Sequence, residues 1–462
     1  MPVRTCDAAH CSGADAEINE ICKEEKWPIG HPVLTRDAHG PCTCTCSCMA
    51  LGTPVANSPN SFKKIEDYSV GDTVLAAGKD LKWTKSNVAF SQGTTGASRQ
   101  PFTVFVQYEG GVLIVTSDHL FMLANGTLKR ADRLNLKDNL ISPEGKPVNI
   151  KSVNIGDFYG GFHHIATSTA PPDDSLKDHL LNTNGVVSAD YAVQLYCGAG
   201  KLDKSIFDDK QLNDPIVGSS EYSKIFGEQT LAIDSLVSAI GLAAMHSSSE
   251  AKIMASNYPT GFVPAEKSKV IIPADACSFI SEVDAAAIAA AATMRAFNDP
   301  LSREWTEYLV QHYKSFYPNV VYHVDWYDDT VNAYAWIENG VRHVALKGGL
   351  IRLDVIELEG IALVLAHELA HHYGGAPTYP EGLSCEGQAD FFGARNIMRK
   401  VWFAEQYIRM MEPAIVQLGR FFGFVPAGAG AGAAGCSHPP GQCRVDTYNA
   451  AVDLKPKPAC AG

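Results

Sequence analysis

Residues 361–375 read Ile361-Ala-Leu-Val-Leu-Ala-His367-Glu368-Leu-Ala-His371-His372-Tyr-Gly374-Gly375. An unbroken apolar run leads into two histidines four residues apart. On a helix those histidines share one face, so both imidazoles can sit on a tetrahedral cation such as Zn²⁺. Glu368 follows the first histidine and is placed to reach a water held by that cation. Zinc lowers the pKa of such a water towards ~7, within range of a carboxylate general base. Gly374 and Gly375 end the helix, and Pro377 and Pro380 prevent its continuation. Buried core histidines are the bland alternative. A second group weighs against it: Glu386-Gly-Gln-Ala-Asp390, again two carboxylates one helical turn apart. An antiparallel return brings this face opposite the histidines. Glu386 then supplies the third metal ligand. Asp390 accepts the free ring N–H of a ligand histidine, which fixes its tautomer. His372 points off another face and is read as a non-ligand.

Outward from this stretch, the periodicity predicts helices at about 355–373 and 384–410. Before them come strands at 319–324, 331–337 and 341–346, with Asn339-Gly340 as the hairpin turn. Residues 282–298 are Ala-rich and helical in pattern. Ser302 is taken as the N-cap of a helix running to Phe316, whose Trp305, Leu309, His312 and Phe316 form a packing face. Gln229 to His246 is apolar at helical spacing, and 427–435 (Ala and Gly only) reads as a flexible loop.

Residues 48–197 have a different character: many short strands punctuated by Gly, Pro, Asn and Asp. Thr103–Tyr108 and Gly111–Thr116, separated by Glu109-Gly110, form a hairpin signal. The domain reading is a Cys-rich leader (1–47), an all-β domain (48–197), a helical linker region (198–281) and an α+β domain (282–462).

Thirteen cysteines is a high count, and seven of them precede residue 49, ending in Cys42-Thr-Cys44-Thr-Cys46-Ser-Cys48. This leader either binds a soft metal or is a disulfide-rich or reduced tail. The formal charge of 38 − 51 = −13 excludes a general attraction to nucleic acid or anionic membrane. No stretch approaches the ~18 apolar residues of a membrane span, and the polar start lacks a secretory signal. A soluble protein is expected, cytoplasmic or exported by a dedicated machine, as an effector or toxin would be.

Two resemblances follow. Val331-Asn332-Ala333-Tyr-Ala, Gly348-Gly349-Leu350, Leu363 to His371, Glu386-x-x-Ala-Asp390 and Ser437-His438-Pro439-Pro440 with Arg444 together resemble the HtpX-like and CAAX-protease-like gluzincins and their soluble minigluzincin relatives, over about 282–455. The resemblance implies a zinc endopeptidase acting on a protein or peptide. It implies an edge strand at Asn332 and Ala333 that pairs with extended substrate. It also implies an oxyanion-stabilising role for His438 or Arg444. The relatives' membrane helices are missing, which argues against a membrane substrate. Cys436 and Cys443 flank the His438 loop, and a disulfide between them would tie it.

The second resemblance is to Hint domains, the fold of inteins and hedgehog autoprocessing modules. It rests on Cys48-Met-Ala-Leu-Gly-Thr-Pro-Val55, Ile65 to Leu75, Thr116-Ser-Asp-His119 and His179 to Val187. It implies an N-to-S acyl shift: the Cys48 thiol attacks the Ser47 carbonyl, Thr116 orients the peptide, and His119 protonates the departing nitrogen. The terminal His-Asn pair of a splicing intein is replaced by Val187-Ser-Ala-Asp-Tyr191, so cleavage freeing 1–47 is expected rather than splicing. The competing function is a Hint autoprocessing protein whose C-terminal domain only binds. The N-terminal region is also a candidate intramolecular inhibitor of the zinc site, through a cysteine thiolate.

Overall fold

The computed structural model describes residues 4–5, 33–37, 40–44, 49–93, 99–168, 170–198, 204–208, 214–227, 261–425 and 436–462. Cys48, most of the leader cysteines, the 229–246 stretch and the 427–435 segment lie outside the described residues. The chain separates into two compact units, Met1–Ser268 and Lys269–Gly462.

Among its described residues the first unit is mostly β, as the punctuation of 48–197 predicts. One sheet path runs through 139–141, 147–159, 99–108, 111–115, 49–50, 162–166 and 90–93, with Phe262–Pro264 added on 147–159. The other runs through 128–130, 120–122, 186–189, 180–183, 54–58 and 61–64. The expected hairpin is present, with Tyr108 opposite Gly111 and Gly110 at φ +94°. Phe105, Val106, Leu113 and Ile114 supply its buried core. A helix, Tyr191–Gly198, follows the last paired strands.

The second unit is α+β. Its elements are β1 (Cys277–Ser278), α1 (Glu282–Ala291), α2 (Pro300–Phe316), β2 (Val320–Asp325), β3 (Ala333–Glu338), β4 (Val341–Lys347), α3 (Leu358–Tyr373), α4 (Glu386–Phe392), α5 (Glu405–Phe422) and α6 (Gly441–Val452). The sheet order is β1-β3-β4-β2, antiparallel except for the parallel β4/β2 pair. Asn339 and Gly340 both take positive φ, the turn that matches the twist of paired strands.

Three boundaries differ from the sequence reading. The N-cap of α2 is Asp299, not Ser302: the Asp299 carboxylate accepts from the Ser302 amide at 2.7 Å, and Pro300 fills the first turn, where no donor is needed. The Ala-rich helix stops at Ala291 because Ala292 turns extended and Met294 bridges to Leu353. The predicted helix 384–410 is broken. Its first part passes through a π segment (Gly393–Ile397) into Met398–Val401. Trp402 then turns extended, and Ala404 takes φ +53° before α5 begins.

Helix α3 is the centre of this unit. Gly360 to His371 are all buried, packed by α2, α4, α5 and the sheet. Its first amides are closed by a neighbour: the Gln417 side-chain oxygen on α5 accepts from Glu357 N (3.0 Å) and Gly360 N (2.8 Å). A helix this enclosed can hold ionisable side chains only where partners meet them.

Candidate metal centre

Helix α3 projects His367, Glu368 and His371 inward, all at most 1% exposed. Helix α4 faces them with Glu386 and Asp390, equally buried. Asp390 Oδ1 lies 2.9 Å from His367 Nδ1, and the Ser384 carbonyl lies 2.7 Å from His371 Nδ1. Both contacts are satisfied only if the Nδ1 atoms carry the ring protons. The Nε2 atoms then present lone pairs. They approach each other to 3.1 Å, and Glu386 comes within 3.2 Å of His367 Nε2 and 3.6 Å of His371 Nε2.

Three acceptors at these separations repel unless a positive charge lies among them. Zinc bonds of about 2.0–2.1 Å give tetrahedral ligand–ligand edges of roughly 3.4 Å. The donor set therefore fits that ion in both chemistry and spacing. The titration of the site's groups shows the same demand for positive charge, which a proton on His367 can also meet. Burial pushes the Glu368 carboxyl up to about 8, and neither of its oxygens has a hydrogen-bond partner among the described residues. Burial lowers the His371 imidazole to about 4. Burial acts downward on His367 too, but Asp390 and Glu386 outweigh it and raise that ring to about 9. Burial pushes Glu386 up, yet His371, His438 and His367 hold it down at about 2.

Asp390 is itself held. Arg444 on α6 donates to both its oxygens, at 2.9 and 2.8 Å, and the Tyr448 hydroxyl donates at 2.7 Å. Arg444 Nη1 also donates to the Phe279 carbonyl, and Arg444 is 1% exposed. This corrects the expectation that Arg444 faces an oxyanion: its guanidinium is committed behind His367 and acts through Asp390. His438 does face the site. Its Nε2 lies 2.7 Å from Ser278 O and 3.5 Å from Glu386 Oε2. His372 turns away, to the His343 carbonyl.

Asn332 and Ala333 also require correction. Both are fully buried, and the chain's own segment already occupies the strand position beside them. Cys277 pairs with Ala335 and Ser278 with Tyr334. The Phe279 amide donates to Ala333 O, and the Asn332 side chain bonds both the N–H and the C=O of Ile280. The cysteine pairing differs from expectation too: Cys436 bonds Cys385, and Cys443 bonds Cys460. The first link joins the His438 loop to the residue preceding Glu386.

Sequence reasoning missed Tyr379, whose hydroxyl donates to Glu386 Oε1 at 3.0 Å. The only signal was a lone aromatic between two prolines. Cys277 was missed as well. The structure groups a Cys277 Sγ, a His371 nitrogen and a Glu386 oxygen within 4.8 Å of one another, and burial pushes that thiol up.

In the first unit, Thr116 and His119 close one turn, with the His119 amide on Thr116 O at 3.1 Å. The Gln194 amide meets His119 Nδ1, so the ring proton sits on Nε2, which is buried without a hydrogen-bond partner among the described residues. Burial lowers this ring to about 3, so it is neutral in ordinary buffers. Met49 pairs with Val115, immediately before Thr116.

Two histidines and a carboxylate, brought together by two packed helices of an α+β unit, make a donor set suited to a metal ion. Residues 299–379 match Peptidase family M48. The matched span includes α2, the three longer strands and α3, and ends before Glu386. Over the N-terminal region the chain is similar to solved inteins. An intein-like domain from Clostridium thermocellum is 16% identical and covers 32% of this chain and 100% of its own, with TM-score 0.27. The gp41-1 intein is 19% identical and covers 32% and 100%, with TM-score 0.25. A DnaB intein from Synechocystis sp. PCC 6803 is 16% identical and covers 31% and 97%, with TM-score 0.25. No curated protein matches the chain.

Proposed function

We propose that the second unit is a zinc-dependent endopeptidase of the gluzincin type, with His367, His371 and Glu386 as ligands. The observation that carries this is the approach of two Nε2 lone pairs and one carboxylate to 3.1–3.6 Å, each histidine fixed from behind by an acceptor on Nδ1. A bound zinc ion supplies Lewis acidity towards the scissile carbonyl and acidifies water.

The chain's own residues do the rest. Glu368 accepts a proton from the attacking water and passes it to the departing amine nitrogen. Its burial, and the lack of a hydrogen-bond partner among the described residues, leave both oxygens free for that exchange. Asp390, held by Arg444 and Tyr448, keeps the His367 proton on Nδ1. His438, beside Glu386, supplies a donor for negative charge developing on the substrate carbonyl. The substrate is an extended protein or peptide segment. The test is metal analysis of the purified protein and of His371→Ala, with hydrolysis of an unfolded protein by the parent and by Glu368→Gln. About one zinc per chain, lost in His371→Ala, together with hydrolysis lost in Glu368→Gln, is expected. Zinc-free parent protein overturns the reading.

A second reading applies to the first unit: self-cleavage before Cys48. It is favoured by His119, whose proton-bearing Nε2 is buried without a hydrogen-bond partner among the described residues, at the turn that Thr116 begins. Cleavage frees residues 1–47, and a Cys48→Ala chain stays full length.

A further inference from the structure

The strand position on β3 that a peptide substrate would take is held by residues 277–280 of the chain itself. Their backbone is tied along its length: to Ala335, Tyr334 and Ala333 on one side, to His438 through Ser278 O, and to Arg444 through Phe279 O. Side chains two apart on a strand share a face. Phe279 packs edge-on against the His367 ring at 5.2 Å. Cys277 therefore points to the same side, where its Sγ belongs to the group with His371 and Glu386. Cys277 is buried and free of any disulfide. Independently, both oxygens of the fully buried Glu368, which interacts electrostatically with this thiol, lack any hydrogen-bond partner among the described residues. A general base left bare beside a metal site indicates that a ligand belongs in the space.

We propose that Cys277 is a fourth metal ligand, delivered by a strand that imitates substrate, and that it holds the peptidase unit latent. Three protein ligands and an exchangeable position make a working zinc site, whereas four protein ligands close it. On binding, the thiol gives its proton to solvent and its sulfur lone pair to the metal. Reprotonation and departure of the strand reverse the step. No oxidant or reductant takes part. The inhibitor is thus built into the peptidase unit and does not depend on the cysteine-rich leader. This inference rests on the zinc-peptidase reading above.

The experiment uses the full chain, freed of metal with a chelator and reloaded with one equivalent of Co²⁺ or Zn²⁺. With Co²⁺, the parent shows a thiolate-to-cobalt charge-transfer absorption that Cys277→Ser lacks, while the variant still binds the metal. The parent-minus-variant difference removes any contribution from the leader cysteines. With Zn²⁺, Cys277 in the parent is protected from iodoacetamide, read by peptide mass mapping, and it reacts when the metal is stripped. Hydrolysis of unfolded protein by the zinc form of Cys277→Ser rises about tenfold or more over the parent, since the fourth position is open. Identical cobalt spectra, or alkylation of Cys277 that is as fast with zinc as without, overturn the proposal. The alkylation arm uses only the parent, so it decides even where the variant fails to fold. Metal bound through His371 without a thiolate difference sinks the latency alone. Absence of any bound metal sinks the peptidase reading together with it.

Discussion

Glu368 carries the clearest consequence at the scale of a single residue. Its carboxyl is raised by burial from an ordinary 4.5 to about 8. Below pH 4.5 it is protonated in both folded and unfolded chains and costs nothing. Between 4.5 and about 8 the unfolded chain gives up a proton that the folded one keeps, so stability falls as pH rises. Above about 8 the penalty is complete. In the metal-free protein, Glu368→Gln removes this penalty. Its melting temperature should equal the parent's near pH 4 and exceed it by on the order of 5 °C near pH 8.5. Scanning calorimetry at the two pH values checks this, and an equal difference at both refutes it. The same substitution in the zinc-loaded enzyme should lower the turnover number by about 10²–10⁴, the usual worth of a general base. Asp390 acts one step further out. Asp390→Asn weakens the acceptor on His367 Nδ1 and leaves Arg444 short of a buried partner, so zinc affinity should drop by about 10–100-fold. A competition titration with a chromophoric chelator measures it, and unchanged affinity would show that Asp390 does not tune the ligand.

At the scale of elements, the site depends on how closely α3 and α4 pack. Gly393, in the π segment continuing α4, lies directly against the backbone of α3. A Cβ there would lie 2.9 Å from Ala366 O and 3.1 Å from His367 Cα, both backbone atoms of α3. Neither can yield cheaply, so Gly393→Ala must push the two helices apart by a few tenths of an ångström. The expected cost is about 1–3 kcal/mol, read as a lower melting temperature together with weaker zinc binding. A melt that falls while zinc affinity stays unchanged would mean that the ligands do not depend on this contact. Helix α3 was legible in the sequence because its apolar run and its histidine spacing obey one period. The 339–340 turn was legible because Asn-Gly suits two positive φ angles. The break at Trp402–Ala404 was not, since nothing in Trp-Phe-Ala forbids a helix. Capping by Asp299 rather than Ser302 turned on which of two good capping residues preceded a proline. Cys277–Ser278 is too short to show a strand pattern, and it exists only because β3 offers an edge. Arg444 was read as facing substrate because its motif lies near His438, but α6 carries its guanidinium behind His367.

At the scale of the whole molecule, the two proposed chemistries fall in two units of different construction. Sheets surround Thr116 and His119 within residues 1–268, while helices surround His367, His371 and Glu386 within 269–462. Every partner described for the metal centre, from Cys277 to Tyr448, comes from the second unit. Every partner described for His119 comes from the first. Sites that share no partner behave additively, so damage to one should leave the other unchanged. Cys48→Ala and His119→Ala should therefore keep the parent's zinc content and zinc affinity while abolishing any release of residues 1–47. Glu368→Gln and His371→Ala should release that segment at the parent's rate. Intact-mass time courses and elemental analysis on the same four proteins give both readings. If release of 1–47 stops in Glu368→Gln, the cut is made by the peptidase centre in trans or in cis, and the acyl shift at Cys48 is not its cause. If zinc disappears in Cys48→Ala, the metal in the parent belongs to the cysteine-rich leader, and the assignment of His367, His371 and Glu386 fails with it.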